Sequence, residues 1–235
     1  MNRFILLVCF TFIVPLHAQR SDFNKIDFTK AEHIANRYKG EDLTNLPLLV
    51  HHLTSQLETD AERFKAIYYW VSHNISGNYD LMHTNERTRK KLKNDPEELQ
   101  RWNHQFKKEV FTKLLSDKET LCTGYAYLIK VLSNLAGLEC TIIHGYDLNN
   151  SAKSNKQNGP NHSWNAIKLN GKWYLCDATW SAGYTDMSNF LFEFEYDNTY
   201  FLMKPSEFVK THKPLDEKWT LLPLSTEVHD SKKKL

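Results

Sequence analysis

Charge of one sign is the first thing this sequence lacks: 30 lysines and arginines stand against 28 aspartates and glutamates, a net charge of +2. Domains that bind nucleic acid ordinarily carry a marked basic excess, so no nucleic-acid partner is expected. The basic runs 87–93 and 232–234 read as a solvated helix face and a tail. Long apolar runs are also missing. The longest, Phe4–Val14, has eleven residues, short of the ~20 that span a bilayer. With Arg3 before it and Leu16-His17-Ala18 after it, this run reads as a signal peptide over 1–18, cut before Gln19. The expected product is secreted or periplasmic, with no membrane partner after cleavage. Cysteine is scarce, and removing Cys9 leaves Cys122, Cys140 and Cys176. An odd number excludes a fully paired disulfide framework in an oxidising compartment and leaves at least one thiol free or paired with another chain. No internal repeat is visible. His51, His52, His83, His104 and His144 show no metal-ligand spacing, so neither metal nor cofactor is expected.

What is present is enough for one core. At 235 residues, 41% hydrophobic and 13% aromatic, the chain reads as a single domain over 19–235. Helices are expected over about 29–38, capped by Thr29, over 46–57, and from Thr59 or Asp60 onward. In the last of these, Phe64, Ile67, Tyr68 and Val71 follow the i, i+3, i+4, i+7 spacing of a packed face. Residues 74–79 read as a loop. Residues 86–113 are charged and helical, broken at Asp95-Pro96, with Trp102, Phe106 and Phe111 as anchors. A further helix is capped by Thr120, buries Tyr125, Leu128, Ile129, Leu132, Leu135 and Ala136, and stops at Gly137. Strands follow at 139–146, 190–196 and 200–203, with a long polar loop over 147–160. In the second of these, Glu193, Glu195 and Asp197 alternate with Phe192, Phe194 and Tyr196, the pattern of a half-buried strand. Asn170-Gly171 between 162–169 and 172–177 predicts a hairpin with a two-residue type I′ turn. Helices followed by strands give an α+β domain.

The chemistry starts at Cys122, which opens the best-defined helix. Unpaired N–H groups and the macrodipole there favour a thiolate and can hold an oxyanion. A nucleophilic thiol needs a base beside it, and the base needs an orienting group. The hairpin supplies both. With Asn170 and Gly171 in the turn, opposed positions sum to 341, so Trp164 faces Asp177 and His162 faces Thr179. His162 and Asp177 are then diagonal neighbours on one sheet face, about 7–8 Å apart at Cα. Cys176 points to the other face. Gly124 lets a substrate or a neighbouring strand approach closely. Cys140 and Cys176 read as buried thiols, with a disulfide between them as the alternative.

Three blocks, Leu121-Cys122-Thr123-Gly124-Tyr125-Ala126, Asn161-His162-Ser163-Trp164-Asn165 and Trp173-Tyr174-Leu175-Cys176-Asp177-Ala178-Thr179-Trp180, resemble the core of the transglutaminase-like superfamily. Residues Ala61–Asp80 resemble the segment preceding that core. Tyr200-Phe201-Leu202, Pro205, Phe208, His212, Pro214 and Trp219 to Leu222 resemble the tail of its kyphoscoliosis-peptidase-like branch. Thr120 stands where the family often has glycine, and Gly77-Asn78 look inserted. The resemblance implies an α+β papain/transglutaminase-like fold, with N-terminal helices packed on an antiparallel sheet and the core over about 61–180. It implies a catalytic triad of Cys122, His162 and Asp177. Acyl transfer from a protein or peptide amide to water or an amine is the reaction expected, with a triad-bearing but silent peptide- or wall-binding module as the alternative. Trp164 and Gly124 are the candidate substrate-contacting residues, with shielding of the ion pair or plain core packing as the alternative for Trp164, and Trp70 is the candidate second oxyanion donor.

Overall fold

A computed structural model describes residues 20–149 and 159–223. The signal segment, the middle of the polar loop and the run 232–234 lie outside the described residues.

Three helices open the fold: α1 (Thr29–Arg37), α2 (Leu46–Thr54) and α3 (Asp60–Asn74). The cap of α1 comes earlier than expected, because Asp27 Oδ1 accepts from both the backbone N–H and the hydroxyl of Thr29, at 2.9 and 2.6 Å. Helix α3 starts with a reciprocal capping box between Thr59 and Glu62, which satisfies two otherwise orphaned donors. Its residues Phe64, Ile67, Tyr68, Trp70 and Val71 are all fully buried.

The stretch expected to be a loop contains β1 (Ser76–Gly77), which pairs in parallel with β2 (Glu119–Thr120). Between them, α4 (Tyr79–Lys91) and α5 (Pro96–Asp117) form a charged helical pair broken at the predicted place, with Asp95 capping α5 through the Glu98 N–H. Leu81, Phe106 and Val110, flanked by Trp102 and Leu121, hold this pair together.

Helix α6 (Cys122–Leu135) follows β2 directly. Thr120 therefore belongs to a strand and is buried, and Leu121 takes the cap position, where its side chain makes no cap bond. Leu135, expected inside, is 47% exposed.

The main sheet is antiparallel in the order β5-β4-β3-β8, from β3 (Cys140–Asp147), β4 (His162–Leu169), β5 (Lys172–Cys176) and β8 (His212–Pro214). Asn170 and Gly171 both have positive φ, 50° and 79°, as a type I′ turn requires. The register 341 holds from Leu169↔Lys172 to Asn165↔Cys176. There it ends. Asp177 leaves the sheet to cap α7 (Ala178–Ala182), accepting from the Thr179 and Trp180 N–H groups, so Thr179 stands on a helix and does not face His162.

Seven of the eight residues of β4 are buried, because the sheet is covered on both sides. Helices α1, α2, α3 and α6 cover the face that carries Ile167, Leu169, Tyr174 and Cys176. The other face, with Ile143, Trp164, Ala166 and Leu175, is closed by Phe208 of α8 (Pro205–Phe208). A second hairpin, β6 (Gly183–Thr185) with β7 (Phe192–Phe194), forms a separate two-stranded sheet. It is shorter than expected and Phe194 is 51% exposed, so the alternation around Glu193 does not mark a half-buried strand. The segment expected as a strand at 200–203 is a 3-10 turn, Asn198–Tyr200, followed by a single bridge from Met203 to Leu175.

Candidate active site

The N-terminus of α6 and the start of β4 are locked together by one buried amide. Asn165 Nδ2 donates to the carbonyl of Ala126, one turn into α6, at 2.9 Å, and to the carbonyl of Thr141 on β3 at 3.2 Å. The segment carrying Cys122 is thereby fixed against the strand carrying His162.

At that junction the three predicted residues meet. His162 Nε2 lies 2.6 Å from Asp177 Oδ2, and both side chains are nearly fully buried. Cys122 stands beside the same imidazole, and its side chain raises the proton affinity of the ring. With Nε2 committed to Asp177, Nδ1 is the nitrogen left for the thiol. Cys122 is half-buried, whereas Cys140 and Cys176 are buried, and all three are free thiols. Burial pushes Cys140 up to about 12 and Cys176 well above the ordinary thiol value, so neither forms a thiolate near neutrality.

The electrostatics follow from the geometry. Burial by itself would drive the proton off His162, but the charge and hydrogen bond of Asp177, with Cys122 alongside, hold its pKa up at about 10. Burial also disfavours the Asp177 carboxylate, yet the charges and hydrogen bonds of His162 and His212 keep it well below the usual range. The Asp177 charge thus favours a protonated ring at His162 beside an ionised carboxylate.

His212, which the sequence offers only as part of the family-like tail and with no role, joins the pair. It comes from β8, is fully buried, and places Nε2 at 3.1 Å from the same Asp177 Oδ2. Its Nδ1 pairs with the Thr211 hydroxyl at 2.8 Å. Burial lowers its pKa, so the neutral ring donates from Nε2 and accepts at Nδ1. Asp177 thus accepts on both oxygens: Oδ1 from the start of α7 and Oδ2 from two histidines. Ligand-type atoms of His162, Asp177 and His212 lie within 4.8 Å of one another. The carboxylate is already satisfied by donors, so hydrogen bonding accounts for the cluster without an ion.

The remaining candidates divide between their expected alternatives. Trp164 is 1% exposed and packs between His162, Phe208 and His212, with ring centroids 5.8, 5.9 and 5.0 Å away. It walls the site from within, the shielding and packing alternative to a substrate contact. Gly124 is buried, and the space a Cβ would need is filled by the side chain of Thr120. Its bareness therefore serves the neighbouring strand, where the family-like glycine is replaced by Thr120. Trp70 is buried with its indole N–H donated to the Tyr38 carbonyl at 2.7 Å, which removes it as an oxyanion donor. The ring that the sequence pattern does not single out is Trp180, stacked on His162 at 5.4 Å and half-exposed. It stands three residues after Asp177, where the turn into α7 swings it over the imidazole.

Residues 48–178 match the model of the transglutaminase-like superfamily. The chain belongs to this superfamily. It is 33% identical to human kyphoscoliosis peptidase over 76% of this chain and 24% of that protein. It is 27% identical to hillarin of Drosophila melanogaster over 84% of this chain and 23% of that one. A solved structure described as a TGase aligns with TM-score 0.38 and 12% identity over 65% of this chain and 32% of the other. The chain spans about a quarter of the length of the curated relatives it matches.

Proposed function

We propose that this protein is an exported cysteine-dependent acyl-transfer enzyme that cleaves or transfers protein or peptide amides through Cys122, His162 and Asp177. One observation carries the reading: a buried His162 bonded to Asp177 at 2.6 Å, with the half-buried Cys122 close enough to raise the proton affinity of the ring. In the acylation step, Cys122 Sγ attacks the amide carbonyl carbon while the first N–H groups of α6, uncapped by any side chain, face the developing oxyanion. His162 passes its proton to the leaving nitrogen, the C–N bond breaks, and a thioester remains. Water or an amine then attacks the thioester, His162 takes the proton from the attacking atom, and the thiolate departs. Asp177 holds the ring in orientation throughout. The name of the human relative, kyphoscoliosis peptidase, agrees with the hydrolytic branch.

The test is alkylation of the protein by iodoacetamide near neutral pH, with Cys122→Ser and His162→Ala as controls. Fast labelling that disappears in Cys122→Ser and slows in His162→Ala supports the enzyme. Labelling no faster than an ordinary thiol and indifferent to His162→Ala would sink it in favour of a silent peptide- or wall-binding module.

A further inference from the structure

On the outer side of Trp180 the surface dips into an open groove of about 640 Å³ whose walls include Trp180, Tyr184, Tyr196, Tyr200, Glu195 and Asp197. Among the described residues that line it there is no lysine, arginine or histidine. Glu195 is exposed, and no ion pair or hydrogen bond of its carboxylate is found among the described residues. Asp197 uses Oδ1 to hold the Thr199 N–H at 2.8 Å, which leaves Oδ2 toward solvent. Of the cations near this wall, Lys65 is paired with Glu32 at 3.0 Å, and Arg20, bonded to the neutral Asn198 carbonyl at 3.4 Å, keeps its charge outside the lining. Four aromatic rings and two carboxylates, with no cationic side chain in the described lining, form a surface suited to a cation on an aliphatic stem. The rings take the stem and the face of the charge, and the carboxylates take its protons.

The position of the groove gives it a role. Trp180 is both its wall and the ring stacked on His162 at 5.4 Å. In acyl transfer the imidazole serves the nitrogen that leaves and the nucleophile that arrives, so the surface adjoining it belongs to the leaving-group side of the amide. Resting on the acyl-transfer reading above, we propose that this groove binds the leaving-group side of the substrate and selects chains that carry a lysine or arginine side chain there. The selected side chain is a recognition element and does not react.

Acetylation of the protein by p-nitrophenyl acetate tests both levels. A stoichiometric burst of nitrophenolate, absent in Cys122→Ser, reads acylation of the thiol. The acetyl group is then passed to glycyl-argininamide or glycyl-glutamamide carrying a free side-chain acid. In each case the glycine nitrogen attacks the thioester carbon, the C–S bond breaks, and His162 takes the proton. The arginine acceptor is expected to discharge the enzyme about fivefold faster, the scale of an exposed charge pair, with the ratio shrinking as salt rises and vanishing in Glu195→Lys. A burst followed by equal discharge by both acceptors, or a preference that survives Glu195→Lys, overturns the groove proposal and leaves the triad standing. The same two dipeptides titrated into Cys122→Ser, with the Trp180 indole resonance as the probe, read the groove without chemistry. An arginine-selective shift there, in a protein that shows no burst, keeps the groove and removes the enzyme. No shift with either dipeptide removes the groove.

Discussion

His212 Nε2 stands 3.1 Å from Asp177 Oδ2, the same oxygen that meets His162. The relationship is a buried one, since His212 is wholly inaccessible and stacks on Phe208 at 3.9 Å and against Trp180 at 4.3 Å. A second donor keeps the carboxylate anionic and stops it from rotating away from His162. His212 is therefore a positioning residue. Replacing it by leucine leaves a buried carboxylate one donor short, a loss of about 1–3 kcal/mol. Alkylation of Cys122 near neutral pH should slow about tenfold in His212→Leu, while His212→Gln, whose amide can donate, recovers part of the rate. A merely structural histidine would lower stability without moving the alkylation rate relative to folded protein.

The His162–Asp177 pair gives stability a definite pH dependence. His162 is held at about 10 in the fold against roughly 6.5 in an unfolded chain. Its contribution is complete below about 6.5 and is lost as pH rises toward about 10. Asp177 lies below its usual range when folded, so its contribution is present above about 3.9 and is lost as pH falls. Urea midpoints across this range should fall on the alkaline side in the wild type, and the fall should flatten in His162→Gln. Parallel profiles would show that the pair is not charged in the native state.

Asn165 carries the alignment of the segments that bear Cys122 and His162. Its amide reaches α6 and β3 from inside the sheet and is 1% exposed. Asn165→Ala removes the amide donor from one buried and one part-buried carbonyl and leaves a small void, which together are expected to cost about 2–4 kcal/mol. The readout is the denaturant midpoint with unchanged m-value. Alkylation of Cys122 in the folded variant should slow as well, because the helix start is no longer pinned to β4.

Much of this arrangement is legible in the amino-acid sequence, and the reasons are local. The helix start at Thr59-Asp60, the break at Asp95-Pro96 and the register of the Asn170-Gly171 hairpin depend on neighbours in sequence; His162 and Asp177 do meet, but with Asp177 off the sheet as the cap of α7 and not as a diagonal strand neighbour. What the sequence hides is decided at a distance. His212 lies 35 positions from Asp177 and reaches it only because β8 joins the far edge of the sheet. Thr120 reads as a helix cap because β2, with only two residues, pairs with an equally short β1, too little chain for a periodic signal. The role of Trp164 stays open between substrate contact and core packing because nothing in the hairpin says that Phe208 closes that face.

Gly124 and Thr120 make a contact that can be tested by addition. A methyl group on Gly124 would overlap the Thr120 side chain, which β2 holds in place. Gly124→Ala should destabilise the protein by about 1–3 kcal/mol through overpacking, and Thr120→Ala in the same chain should return part of that loss. A double-mutant cycle by chemical denaturation measures the coupling. Additive effects would mean that α6 shifts to make room, and Cys122 alkylation would then report the shift.

Lys65 tests the opposite case, a buried charge away from the reacting atoms. Only 1% of its side chain is exposed, yet its ammonium meets Glu32 at 3.0 Å, Tyr196 Oη at 3.0 Å and Asn198 Oδ1 at 2.9 Å. It also lies 4.6 Å from the Phe201 ring centroid. Burial lowers its pKa while Glu32 works against that. Removing one partner of a buried pair leaves a charge uncompensated, whereas removing the buried charge in favour of an apolar chain of similar length can be nearly neutral. Glu32→Ala should therefore destabilise the fold more than Lys65→Met, although Lys65 is the more buried of the two. Glu32 is about one-third exposed, so water softens its loss, and a difference of about 1 kcal/mol is expected. Thermal unfolding of the two variants decides the order. If Lys65→Met proves the worse, the ammonium is needed to hold Tyr196 and Asn198, and the groove wall that Tyr196 forms depends on it.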